Sequence, residues 1–208
     1  MRQLLVASRN RKKQAELRRV LDAAGISGLE LLTLDDVPAY EEAPETGATF
    51  EENAIAKARD GFAATGLPTL ADDSGLEVAA LNGMPGVLSA RWAGGHGDDA
   101  ANYRLLLAQM GDVPGERRQA AFVSVCALVT GPGAEDAVVV RGEWPGVIGR
   151  EPLGERGFGY DPVFVPEGEG PGDGRSAAQL SPAEKDAVSH RGRALALLVP
   201  ALRELARG

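Results

Sequence analysis

The order in which apolar runs and helical spacings follow one another constrains this chain most. Gln3 to Ala7 is a short apolar run that reads as a buried strand. Lys12 to Ala24 then places Leu17, Val20, Leu21 and Ala24 at helical spacing, with Gly25 as a stop. Leu29 to Thr33 reads as a second strand. Strand, helix and strand in this order indicate an α/β fold. Further on, Gln119 to Thr130 and Asp136 to Glu143 are β-rich runs joined by Gly131-Pro132-Gly133, a long hairpin to which Gly146 to Arg150 adds a strand. Consecutive strands there make the sheet mixed and predict a second lobe.

The segments between are read from their caps and breakers. Asp35 to Gly47 is acidic and carries two prolines, so a loop is expected. Thr49 and Glu52 form a capping box for a helix running to about Thr65, with Phe50, Ala54, Ala58 and Phe62 on one stripe. Gly66 and Pro68 end it. Thr69 to Ala71 is a strand leading into a turn at Asp72-Asp73. Leu81 to Gly97 is glycine-rich and yields no assignment. Asp98 or Asp99 caps a helix in which Tyr103, Leu106, Leu107 and Met110 share a face, with Gly111 as its stop. Pro166 to Ser176 reads as a low-complexity, mobile loop. Ser181, Pro182 and Glu184 mark a helix start, and Ser189 a second. One straight helix would put Lys185 and His190 on different faces, so a short turn and then a longer helix from His190, kinked at Pro200, are expected.

At 208 residues the chain can build one sizeable core, with room for a second lobe. Its 30 acidic against 22 basic residues give a net charge of −8, which argues against a polymeric nucleic acid as partner. A single nucleotide is still admitted, because a small anion responds to local charge and to its metal. The one cysteine, Cys126, lies in an apolar run and reads as a buried free thiol. No apolar run approaches the roughly 20 residues that span a bilayer. The N-terminus turns polar at Ser8-Arg9-Asn10, too soon for a signal peptide. A cytoplasmic protein without a membrane partner is expected.

Asp72-Asp73-Ser74-Gly75 carries the strongest chemical signal. Adjacent carboxylates repel unless solvated or engaged by a metal or proton, and a carboxylate can hold Mg²⁺ while accepting a proton from an attacking water. An Asx-type turn is the plainer alternative. Ser8, Arg9, Asn10, Arg11, Lys12 and Lys13 link a strand to a helix, where free N–H groups and the positive helix end favour a triphosphate. On this segment alone, a capped helix with a solvated basic first turn is the favoured reading. Asn53 and Lys57 are helix neighbours off the apolar stripe. Lys57 can reach a phosphate, or pair at the surface with Glu52 or Asn53. Gly157-Phe158-Gly159-Tyr160-Asp161-Pro162 can present an aromatic ring to a base, with Asp161 as acceptor, or bury an aromatic in a tight turn. Lys185, Ser189, His190 and Arg191 offer a point charge, a cap, an imidazole and a forked donor. No nucleophile elbow is present, so a Ser-His-Asp triad is not expected.

Taken together, Glu45-Thr46-Gly47 with Glu52-Asn53-Ala54 and Lys57, Ala71-Asp72-Asp73-Ser74-Gly75-Leu76, Gly86 through Ser89-Ala90-Arg91, Gly157 to Pro162, and Glu184-Lys185 through Ser189-His190-Arg191 resemble a known family. It is the noncanonical purine nucleoside triphosphate pyrophosphatases of the inosine/xanthosine triphosphate type. The resemblance runs from residue 3 to the C-terminal helix. It implies an elongated α/β fold with a mixed central sheet, two lobes and a cleft between them, residues 1–208 forming one domain, usually as a homodimer. It implies Mg²⁺-dependent hydrolysis of ITP, dITP and XTP to the monophosphate and pyrophosphate. By position, Asp73 matches the general base and metal ligand, with Asp72 and Ser74 beside it. Ser8 to Lys13 match the phosphate segment, and Lys57 the lysine near the phosphates. Phe158, Gly159, Tyr160 and Asp161 match the base-binding segment. Lys185, His190 and Arg191 match the base-recognising end. The second metal carboxylate falls among Glu41, Glu42 and Glu45, with Glu45 preferred. Arg9 stands where the family commonly has glycine, and Asp186 where it often has asparagine. Related folds acting on modified pyrimidine or methylated nucleotides, and a nucleotide-binding regulator without turnover, are the competing readings.

Overall fold

β1 (Arg2–Val6), α1 (Arg11–Ala23) and β2 (Leu29–Leu32) follow the predicted order. The structure is a computed structural model. It describes residues 1–208 apart from Asn10, Glu42, Ala43, 169–173 and Gly208, and only the backbone of Arg11, Lys12, Asp186 and Ala187. β1 pairs in parallel with β2 on one side and with β3 (Thr69–Val78) on the other. α2 (Phe50–Thr65) lies between β2 and β3 in the chain. It starts at Thr49, whose side chain accepts from the Glu52 N–H at 3.1 Å, and stops at Gly66 in the left-handed region. The Glu52 carboxylate reaches back to the Ala48 N–H at 2.6 Å, so the helix is capped from both sides.

β4 (Gln119–Val129), β5 (Ala137–Ile148) and β6 (Phe164–Pro166) complete a six-stranded sheet in the order β2-β1-β3-β4-β5-β6. β5 and β6 run antiparallel, so the sheet is mixed, as expected. α3 (Asp99–Gln109) starts at Asp98, whose carboxylate accepts from the Ala101 N–H at 2.9 Å. The C-terminal region is broken at Ser189 into α4 (Pro182–Val188) and α5 (His190–Arg207), with Pro200 inside α5. No helix among the described residues is long and apolar enough to cross a membrane.

The chain forms two compact units. The first comprises Met1–Asp73, Ser124–Gly142 and Arg191–Gly208. Its core joins Leu4 and Val6 of β1, Leu17 and Leu21 of α1, Leu70, Cys126 and Leu195, Leu198, Leu202 and Leu205 of α5. Cys126 is a buried free thiol, as expected, and burial pushes its pKa up to about 12. The second unit comprises Ser74–Val123 and Glu143–His190, with Leu76, Leu106, Met110, Phe122, Trp144 and Phe164 in its core. Each fully buried large apolar side chain of this kind stabilises by about 1.5–3 kcal/mol, which anchors the strands that carry the polar residues.

Several expectations are corrected. β3 does not end at Ala71: it continues through Asp72-Asp73-Ser74-Gly75 to Val78. Gly75 therefore makes no turn, and the two aspartates obey strand alternation, pointing to opposite faces. Gly146 to Arg150 is no separate strand either, because β5 runs unbroken through Pro145 to Ile148. Pro145 lacks a donor, but its carbonyl still accepts from the Glu167 N–H at 3.0 Å. On α2 the buried positions are Phe50, Asn53, Ala54, Ala58 and Gly61; Asn53 belongs to that face and Phe62 is only half-buried. A short 3-10 turn at Ala79–Leu81 leads into the segment Leu81 to Gly97, which holds a second at Gly86–Arg91. The part of the expected mobile loop at 169–173 lies outside the described residues.

Candidate active site

Strand alternation gives each aspartate its own surroundings. Asp72 accepts from the Lys13 ammonium at 2.6 Å and from Arg191 Nη2 at 3.3 Å. Arg191 Nη1 also pairs with Glu16 at 3.2 Å. Glu16 sits one helical turn beyond Lys13 on α1, so both face the same way. The Asp72 carboxyl is held far below the usual carboxylate range: burial works against ionisation, but Lys13 and Arg191 outweigh it. Arg191 is shifted the other way, its burial outweighed by Asp72 and Glu16. The result is two cations fixed about one part-buried anion, beside Cys126 and Leu195.

On the opposite face, Asp73 meets α2. Asn53 Nδ2 donates to Asp73 Oδ2 at 2.9 Å, and the Lys57 ammonium lies 3.3 Å from Oδ1. The same ammonium lies 2.6 Å from Glu45 Oε1. Two carboxylates from distant segments thus converge on one positive charge. Burial raises the Asp73 pKa, and Lys57 and the Asn53 hydrogen bond only partly oppose this. Lys57 is raised, its desolvation outweighed by Asp73 and Glu45. A cavity is lined here by Glu45, Thr46, Gly47, Asn53, Lys57 and Asp60.

Among the described residues no three His, Cys, Asp or Glu side chains cluster as a complete metal cage. Mg²⁺ does not require one, since it is commonly held by one or two carboxylates with waters and substrate phosphates filling the rest. Glu45 and Asp73 already share one cation between hard oxygen donors, and that donor set fits a divalent ion. Of the acidic candidates, Glu45 is the one found there; Glu41 is exposed and Glu42 lies outside the described residues.

The second unit holds a different cluster. Gly157 has φ +83°, and a Cβ there would strike the Asp161 carboxylate, so only glycine fits. Asp161, buried, accepts from the Phe158 N–H at 2.9 Å and from Lys185 Nζ. The Lys185 ammonium lies 5.1 Å from the centre of the Phe158 ring, which is 53% exposed. The Gly159 N–H donates to Asp99 at 2.7 Å, tying the loop to the start of α3. Tyr160 is buried, its hydroxyl donating to the Ser89 carbonyl at 2.8 Å. The His190 ring stacks on Phe122, with centroids 5.1 Å apart at 15°.

A model of the Ham1 family matches residues 4–201. The chain belongs to the Ham1 family. Its relatives in that family include a protein of Mycolicibacterium paratuberculosis named dITP/XTP pyrophosphatase. The two are 76% identical over 207 residues, which is 100% of this chain and 98% of that one. A Mycobacterium tuberculosis protein of the same name is 75% identical over 205 residues, covering 99% and 97%. Solved Ham1-family structures agree in fold. The nucleoside-triphosphatase / dITP/XTP pyrophosphatase of Mycobacterium abscessus is 66% identical with a TM-score of 0.81, covering 97% of this chain and 100% of that one. A HAM1 protein from Coxiella burnetii is 42% identical with a TM-score of 0.85, covering 98% and 100%.

Measured against the residues singled out in the sequence, Glu45, Lys57 and Asp73 meet in one cluster and Lys13 and Arg191 in another, both in the first unit. Phe158, Gly159, Tyr160, Asp161, Lys185 and His190 lie in the second unit, as does Ser74. Arg191 is thus grouped with Lys13 rather than with Lys185. Ser8 accepts at its carbonyl from Gln14 at 3.1 Å, and Arg9 is exposed. Asn10 and the side chains of Arg11 and Lys12 lie outside what is described. Sequence reasoning missed Glu16, Phe122, the tie from Asp99 to Gly159, the burial of Asn53 and the ion pairs of Asp72. Glu16 could have been found from its spacing to Lys13; Asp99 reads locally only as a helix-cap candidate, and Phe122 only as part of an apolar run.

Proposed function

We propose that this Ham1-family protein hydrolyses the noncanonical purine nucleoside triphosphates ITP, dITP and XTP to the monophosphate and pyrophosphate. In this reading it is a Mg²⁺-dependent house-cleaning enzyme of the cytoplasm, acting as a homodimer and as one domain over residues 1–208. The convergence of Asp73 and Glu45 on one cation carries the reading, in a chain 76% identical over its whole length to a protein named for this reaction. The dimer and the compartment rest on the family resemblance.

Hydrolysis joins a water oxygen to phosphorus, breaks the bond to the departing pyrophosphate and releases one proton. Asp73 is the group assigned to take that proton. In the metal-free protein burial raises its pKa, and Lys57 keeps it ionisable. A divalent ion held by Glu45 and Asp73 would supply charge neutralisation on the phosphates. Lys13 and Arg191, pre-set by Asp72, and Lys57 are assigned to phosphate oxygens, with the backbone at Ser8 to Lys13. Holding cations fixed before the substrate arrives avoids reorganisation during the reaction.

The base is assigned to Phe158, Lys185 and His190 by the family resemblance. Phe158 offers an open ring for stacking, the Lys185 ammonium lies 5.1 Å from its centre, and His190 is assigned as a second donor. Hypoxanthine and xanthine present a 6-oxo acceptor and an N1–H donor, and adenine reverses both. Donors aimed at the 6-oxo group would be left unpaired against adenine, which can discriminate by about 10⁴-fold. The test is pyrophosphate release from ITP, dITP, XTP, dUTP, GTP and ATP with Mg²⁺. Release from the first three alone is expected. Equal rates on ATP and GTP, or none on any, would contradict the reading.

A further inference from the structure

We infer that Asn53 is a positioning residue that locks the proton-accepting carboxylate and the metal-bearing loop to each other. The inference rests on the assignment of Asp73 and Glu45 made above. Asn53 is buried on α2 at 2% exposure, and its amide is used in two directions. Nδ2 donates to Asp73 Oδ2 at 2.9 Å, and Oδ1 accepts from the Gly47 N–H at 2.8 Å. A carboxylate can only accept and a backbone N–H can only donate, so these partners fix which way the amide points. Aspartate or leucine at this position could serve at most one of them.

The Gly47 contact matters because Gly47 is two residues from Glu45. A Cβ on Gly47 would lie 2.6 Å from Asn53 Oδ1 and 3.0 Å from the Asn53 backbone nitrogen. The loop therefore reaches Asn53 only because residue 47 has no side chain. One amide thus ties the Glu45 loop to Asp73. It also holds Oδ2 of Asp73, leaving Oδ1 on the side of Lys57 and Glu45. Partners behind a metal ligand commonly change affinity or activity by about 10–100-fold when lost, and misplacing a reacting group by about 1 Å can cost 10²-fold.

Two variants separate the arms. Asn53→Leu removes both hydrogen bonds. Asn53→Asp keeps an acceptor for Gly47 but sets a second carboxylate against Asp73. Mn²⁺ binding without nucleotide, followed by electron paramagnetic resonance, reads the loop arm. The division between kcat and KM for dITP reads the Asp73 arm. Asn53→Leu is expected to weaken Mn²⁺ about tenfold and lower kcat about 10²-fold, with KM within about threefold. Asn53→Asp is expected to bind Mn²⁺ no more weakly than the wild type and still to lose kcat about 10²-fold. If Asn53→Leu does not fold, Asn53→Asp alone decides. Variants with unchanged kcat and Mn²⁺ affinity overturn the inference, and so does a rise in KM at unchanged kcat. If the wild type releases no pyrophosphate from dITP, the functional assignment fails, and the Mn²⁺ comparison still decides whether Asn53 sets the loop.

Discussion

Asp72→Asn keeps the side chain's size and removes its charge, leaving Lys13 and Arg191 without the anion they share. The side chains are 12% exposed for Asp72, 22% for Lys13 and 10% for Arg191. Breaking a buried pair costs about 3–5 kcal/mol because a charge is left uncompensated, whereas a solvated surface pair is worth no more than about 1 kcal/mol. Lys13 keeps some water, and Glu16 still faces Arg191 at 3.2 Å, so the loss falls between these limits. We place it at about 2–3 kcal/mol. At about 2–4 °C per kcal/mol for a chain of this size, Tm drops by about 4–12 °C. The folded pKa of Asp72 lies below its ordinary 3.8, so its stabilisation is present above that value and lost as pH falls through the folded value. Urea unfolding should therefore give a constant gap between wild type and variant from about pH 5 to 8, narrowing only in stronger acid. A gap below about 0.5 kcal/mol at neutral pH, or one that closes well above pH 5, would refute the reasoning.

Other perturbations test other parts of the account. Phe158→Ala removes an exposed ring whose stacking is worth about 1–3 kcal/mol, so KM for dITP should rise about 5- to 150-fold with little change in kcat; an unchanged KM would remove Phe158 from the base site. The Asp73 pKa is raised chiefly by burial and lowered by Lys57. In the metal-free protein, carbon-13 NMR of the Asp73 carboxyl should show a titration limb above the ordinary carboxylate value of 3.8. Lys57→Met should move that limb to higher pH, and a limb that moves down or stays put would contradict the assigned pairing.

Much of this was legible locally. Thr49, Glu52 and Gly66 fix both ends of α2, and Ser181 with Glu184 fixes the start of α4, because caps act within a few residues. What failed was non-local. Asp72-Asp73-Ser74-Gly75 has the composition of a turn, yet pairing keeps it in β3, since strand propensity yields to neighbours. Asp72 meets residues 59 and 119 positions away, and no spacing rule reaches that far. The sequence places Asn53 off the buried stripe, because a polar side chain gives no hint that Asp73 and Gly47 await it inside.

The most direct measurement compares Asp73→Asn with the wild type on dITP, following pyrophosphate release alongside nucleotide affinity. The substitution preserves shape and deletes the proton acceptor. Release should fall by about 10²–10⁴-fold while affinity stays within about threefold. A variant that turns over at nearly the wild-type rate would show that some other group receives the proton.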